Sequence, residues 1–169
     1  WDGAPVADVN YWYDRYRAFI LYHADLAAQG GAQALILGGE DIPAELFDTP
    51  GAEEHFRGLI AEVRQHFNGT LLWAQAYPGS MQAVPPFLDA VDGIYLLWSA
   101  PLSPAGPATV EAMSNEAGRL LDSEVLPFIV SIQKPVIIAV AYPSAAGAAE
   151  GCVPDQQGGC LDNQALSRP

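Results

Sequence analysis

Apolar positions along this chain alternate between two spacings. Trp12, Tyr16, Phe19, Ile20, His23, Leu26 and Ala27 recur every three or four residues. That period predicts a helix with one wide apolar stripe, capped near Asp8 and stopped by Gly30-Gly31 at about Gln29. Ala34-Leu35-Ile36-Leu37 is instead a continuous apolar run between glycines, too short for a helix, and reads as a strand buried on both faces. The same two-part pattern then returns. Phe56, Leu59, Ile60, Val63 and Phe67 predict a helix over Ala52 to Phe67, ended by Asn68-Gly69, and Thr70 to Tyr77 predicts the second strand. A short helical turn around Pro85 to Ala90 leads to a third strand, Gly93 to Trp98. Val110, Met113, Ala117, Leu120, Leu121 and Val125 predict a helix from about Thr109 to Phe128 that Pro127 ends or kinks, and Lys134-Pro135 opens a fourth strand, Val136 to Val140. From Ala145 onward there is no periodicity.

Helix and strand alternate four times, and the strands are too uniformly apolar for a sheet with one wet face. This predicts a parallel α/β arrangement. Two architectures satisfy it, an open doubly wound sheet or part of a closed eight-stranded barrel. Nucleotide-binding sheets carry a glycine-rich turn after the first strand, and neither G-x-G-x-x-G nor a phosphate-binding loop with lysine occurs here. In a barrel each strand end instead offers polar or aromatic groups to a shared site. Glu40, Gln75, Tyr77, Trp98 and Tyr142 occupy such positions, and Tyr95 lies within the third strand.

Composition narrows the partners. A chain of 169 residues with 50% hydrophobic content can bury a core. The net charge of −13 and the single lysine, Lys134, argue against nucleic acid or an anionic membrane surface. No apolar run approaches the roughly 20 residues of a membrane span, and no signal peptide is recognisable. Trp1 in place of an initiator Met reads as a cut within a longer chain. Cys152 and Cys160, in a Gly/Pro/Asp/Gln loop without metal-ligand spacing, read as a local disulfide, with two free thiols as the alternative; a disulfide implies an oxidising, extracellular or cell-surface setting. His23 reads as a packed, hydrogen-bonded core residue. His55 and His66 are eleven positions apart, about 16 Å along a helix, so they cannot share a metal there and read as solvated. No cofactor or metal site is expected.

Four stretches resemble one family. Gly38-Gly39-Glu40 after a strand, the run from Phe56-Arg57-Gly58 to Phe67-Asn68-Gly69, Val91-Asp92-Gly93-Ile94-Tyr95, and Lys134-Pro135-Val136-Ile137-Ile138 are similar, in order and spacing, to the clan A glycoside hydrolases, and among these to the mannanase-like family 113. The resemblance runs from about Tyr11 to Ser144. It implies a (β/α)₈ TIM barrel of which residues 1–144 hold strands four to seven, with 145–169 a loop or tail continuing toward the rest of the barrel. It implies that Glu40 is the general acid/base and the substrate a neutral poly- or oligosaccharide of the β-mannan or β-glucan kind. Two positions depart from the family pattern. Gly39 stands where the wider clan commonly has Asn, and Ala139 falls where the nucleophilic Glu belongs. A methyl group cannot attack an anomeric carbon, so a second carboxylate must come from elsewhere, with Asp41 and Asp92 nearest by position, or the chemistry differs or is absent.

Three readings follow. The first is a glycosidase with Glu40 and Asp41 as catalytic carboxylates and Gln75, Tyr77, Tyr95, Trp98 and Tyr142, together with Trp73, as substrate-binding groups. The second is a non-catalytic carbohydrate-binding or scaffold protein derived from such an enzyme. The third is a flavodoxin-like sheet binding another small ligand, distinguished by strand order. Four strands cannot close an eight-stranded barrel, so the chain is expected to continue on both sides or to self-associate.

Overall fold

The computed structural model describes residues 8–38, 42, 46–47, 49–77, 84–103, 109–140 and 142. Helix α1, Val9–Gln29, starts where predicted, because the Asp8 carboxylate accepts the Tyr11 N–H at 3.0 Å and so satisfies one of the free amides of the first turn. Strand β1, Ala34–Leu37, helix α2, Ala52–His66, strand β2, Thr70–Ala76, a single 3₁₀ turn, Leu88–Ala90, and strand β3, Gly93–Trp98, follow in order. Helix α3, Val110–Leu120, is capped by the Thr109 hydroxyl, which accepts from the Ala112 amide. One π-type turn, Leu121–Val125, joins it to α4, Leu126–Ile132, and β4, Val136–Val140, closes the series. Two compact units divide these elements, the first taking Trp1–Leu96 and Lys134–Ile137, the second Leu97–Gln133 and Ile138–Pro169.

The strands form one sheet in the order β1-β2-β3-β4. Pairing of β1 with β2 is parallel, with Ala34 opposite Thr70 and Leu37 opposite Trp73. The β1–β2 crossover passes through α2 and the β3–β4 connection through α3 and α4, and each strand takes the next position along the sheet. A doubly wound sheet reverses its strand order at a switch point. Strict succession contains none, which removes the flavodoxin-like alternative.

In the first unit the core lies between the sheet and the two helices. Phe56, Leu59, Ile60 and Val63 on α2 are buried as the spacing predicts. Phe56 stacks on Phe87 at 4.6 Å and meets the Trp73 ring edge-on at 5.5 Å. Phe47 adds a further stacked ring at 5.3 Å from Phe56. Rings of this size bury on the order of 150–250 Å² each, so this cluster dominates the unit's apolar burial.

Five expectations need correction or refinement. The buried face of α1 is Tyr13, Ile20 and Ala24, while Phe19 and Leu26 are exposed, so the helix is rotated from the stripe that ring-rich positions suggested. His23 consequently leaves the core: its Nδ1 meets the Phe19 carbonyl at 2.8 Å, on the half-exposed side of the helix, between the Phe19 and Tyr22 rings. Strand β1 is not buried on both faces; as an edge strand of this sheet it leaves Ile36 40% exposed while Leu37 is 1% exposed. His55 and His66, exposed as expected, are nonetheless engaged, His55 stacking on Tyr13 at 4.2 Å and His66 hydrogen bonding to Asp25 at 2.8 Å. Finally, Pro127 does not end its helix. The π-type turn just before it shifts the hydrogen-bond register, so the proline occupies the first turn of α4, where a missing N–H costs nothing, and the helix runs on to Ile132.

Gly93 opens β3 where the Pro135 backbone crosses, and a Cβ there would lie 2.7 Å from the Pro135 carbonyl oxygen, whereas Gly58 on α2 has nothing within 4 Å. Gly93→Ala should therefore destabilise by about 1–3 kcal/mol, and Gly58→Ala should stabilise by about 0.5–1 kcal/mol. Urea midpoints of the two variants check both signs.

Candidate active site at the carboxyl ends of the strands

The two ends of the sheet are chemically different. At the amino ends, charged side chains tie strand starts to neighbouring segments. Arg64 donates to the Gly69 carbonyl at 2.9 Å and to Asp92 at 2.5 Å, and Asp92 in turn accepts the Leu71 N–H at 2.8 Å. Lys134 donates to the Val91 carbonyl at 2.6 Å. Arg57 forms a pair with Asp89 at 2.7 Å while also bonding Glu53 and the Pro86 carbonyl. Arg64 and Lys134 are thus committed to this end.

The carboxyl ends carry no charge among the described residues: Gly38 after β1, Ala76-Tyr77 after β2, Ser99 to Ser103 after β3, and Tyr142 after β4. Gly38 is the most constrained of these. Its φ is +75°, in the region that favours glycine. Its N–H donates to the Tyr16 hydroxyl at 3.0 Å. A Cβ at this position would lie 2.7 Å from the Trp73 ring. Trp73 is therefore the floor beneath Gly38 and a core residue, not a sugar platform. Burial pushes the Tyr16 phenol up to about 12, against the opposing effect of the Gly38 hydrogen bond, so it stays neutral at ordinary pH.

The remaining predicted residues divide between the two units. In the first, Gln75 is 2% exposed and, by alternation along β2, shares the face of Trp73, while Tyr77 and Tyr95 are half-buried. In the second, Trp98 is 6% exposed, and Tyr142 is half-buried with its hydroxyl donating to the Ala100 carbonyl at 2.5 Å. That bond ties the segment after β4 to the segment after β3. Glu40, Asp41, Cys152 and Cys160 lie outside the described residues. Among the described residues no group of three His, Cys, Asp or Glu side chains could hold a metal, and no helix is long and apolar enough to cross a membrane.

One carboxylate is placed clearly. Asp92 is level with Leu71, whose partner in β1 is Leu35, and so lies about 10 Å short of Gly38 at about 3.3 Å per residue. It sits at the amino end, bound to Arg64, and cannot serve as the counterpart of a group that follows Gly38. Tyr16 was missed by sequence reasoning as anything but a stripe residue; the available signal was that a tyrosine buried along a helix needs a partner for its hydroxyl.

Comparison with known proteins agrees with this layout. The sequence profile of Glycoside Hydrolase Family 113 matches residues 3–148. Among solved structures, the chain is similar to the GH113 β-mannanase AaManA from Alicyclobacillus acidocaldarius in complex with ManMIm, with a TM-score of 0.64, 21% identity and coverage of 83% of this chain and 39% of that one. It is similar also to a GH113 β-1,4-mannanase, TM-score 0.64, 24% identity, covering 88% and 41%, and to a complex of a GH113 β-1,4-mannanase, TM-score 0.61, 23% identity, covering 87% and 41%. The chain thus spans about two fifths of the length of the structures it matches. The parallel sheet is part of a TIM barrel. No curated protein matches the chain significantly.

The Asp92 carboxyl is held below the usual carboxylate range, first by the Arg64 hydrogen bond and then by the Leu71 N–H, against the opposing effect of burial. A folded pKa below the unfolded value near 3.9 contributes stability that is complete above about pH 5 and lost as pH falls through the folded value. Asp92→Asn should flatten that acid limb of the urea midpoint and, since the pair is partly solvated, cost only about 1 kcal/mol at pH 7. An unchanged acid limb in the variant would contradict the assignment.

Proposed function

The chain belongs to glycoside hydrolase family 113, and from that premise we propose that it is the part of a β-mannan-acting glycosidase that supplies the general acid/base, Glu40. The observation that carries the proposal is the Gly38 junction. Glu40 follows, two residues later, a backbone held at the carboxyl end of a parallel strand by Tyr16 and Trp73, the end at which barrel enzymes do their chemistry. There Glu40 protonates the glycosidic oxygen as the bond breaks and later takes a proton from water. The described residues at the carboxyl ends carry no charge, which suits a neutral sugar polymer, and Tyr77, Tyr95, Trp98 and Tyr142, with Gln75, remain the proposed binding groups.

A second reading is favoured by β4. Val136–Val140 contains no carboxylate, and Ala139 holds the position of the expected nucleophile. With Asp92 committed to the amino end, Asp41 is the remaining one of the two candidates nearest by position. If it does not act with Glu40, the protein binds carbohydrate without cleaving it.

Assays of the full-length protein on mannan, glucan and xylan distinguish the two. The hydrolase reading expects cleavage of mannan and a loss of about 10²–10⁴-fold in Glu40→Gln, with mannan binding retained. Unchanged turnover in that variant removes Glu40 from the mechanism; binding with no turnover in the native protein selects the second reading.

A further inference from the structure

The groups around Gly38 do more than fill space. Tyr16 is stacked on Trp12 at 4.8 Å and meets Phe56 edge-on at 6.4 Å, so its ring is fixed by its own helix and by α2. Its hydroxyl takes the Gly38 N–H at 3.0 Å. Trp73 occupies the space a side chain at residue 38 would fill, with 2.7 Å to the Cβ position. A glycine at φ +75° has no side chain of its own to hold it, and its peptide can turn readily unless both its amide and its neighbours restrain it.

We propose that Tyr16 is a positioning residue for the general acid: by accepting the Gly38 N–H above the Trp73 ring, it fixes the direction in which the chain leaves β1 toward Glu40. This rests on the role given to Glu40 above. General acid catalysis requires the carboxyl within hydrogen-bond reach of the leaving oxygen, and a misplacement of about 1 Å costs on the order of 10²-fold. Because burial keeps the Tyr16 phenol neutral at ordinary pH, the hydroxyl that accepts the Gly38 N–H does not itself titrate there.

The test is the leaving-group dependence of kcat/KM in the full-length protein. An unactivated manno-oligosaccharide needs a proton on its departing oxygen; a dinitrophenyl β-mannoside does not. Tyr16→Phe should lose about 10–100-fold on the first and less than about 3-fold on the second, and Glu40→Gln should show the same selectivity more strongly. The ratio between substrates is measured within one preparation, so it does not depend on how much of the variant is folded. Equal losses on both substrates in Tyr16→Phe, or no loss on either, with Glu40→Gln still selective, would overturn the role of Tyr16 and leave that of Glu40 intact. A Glu40→Gln variant without selectivity, or a native protein that turns over neither substrate, would overturn both.

Discussion

The junction where β1 ends is the constraint on which the proposed chemistry depends. The Gly38 amide donates to Tyr16 from α1, and the Trp73 ring of β2 lies where a side chain would stand. Helix, strand end and neighbouring strand therefore meet at a residue that only glycine satisfies, because its φ of +75° and the 2.7 Å clearance each disfavour a Cβ. Tyr16 reaches Gly38 because α1 and α2 are locked side by side through the Tyr13 and Tyr16 rings against Phe56 and through the Arg17–Glu62 pair. Losing the Tyr16 hydroxyl would remove the hydrogen-bond partner of the Gly38 amide.

The sheet separates charged from uncharged strand ends among the described residues. Cations and carboxylates pair at the amino ends, where Arg64, Asp92 and Lys134 bond to backbone groups of the strand starts and adjoining turns. Their value lies in satisfying those backbone groups, since partly exposed ion pairs contribute little by Coulomb attraction alone. The carboxyl ends, emptied of charge among the described residues, are free to present neutral hydrogen-bonding and aromatic groups. A parallel sheet makes this division possible because all its strands point the same way.

Much of this was legible in the sequence because long periodic stretches and glycine stops are local signals. The Asp8 cap, the α2 face of Phe56, Leu59, Ile60 and Val63, and all four strands could be read directly. What could not be read was set by tertiary packing. Ring-rich positions suggested the buried face of α1, but Ala24 is wholly buried and Phe19 largely exposed, because small residues are what a helix places at a close contact. Pro127 was expected to end or kink its helix, and the π-type turn that accommodates it has no local signature. In the site, Asp92 was offered by its position in sequence and Trp73 as an aromatic platform for sugar; strand register shows the first at the wrong end, and burial shows the second in the core. Tyr16 carried no motif, since its importance is a single hydrogen bond 22 residues along the chain.

Amide hydrogen exchange at Gly38 in the full-length protein tests the central claim most directly. A half-buried N–H held by the Tyr16 hydroxyl should exchange at least about 100-fold more slowly than an unprotected amide, and Tyr16→Phe should abolish that protection while leaving the amides of β2 unchanged. Exchange of Gly38 at the free-peptide rate in the native protein would contradict the account.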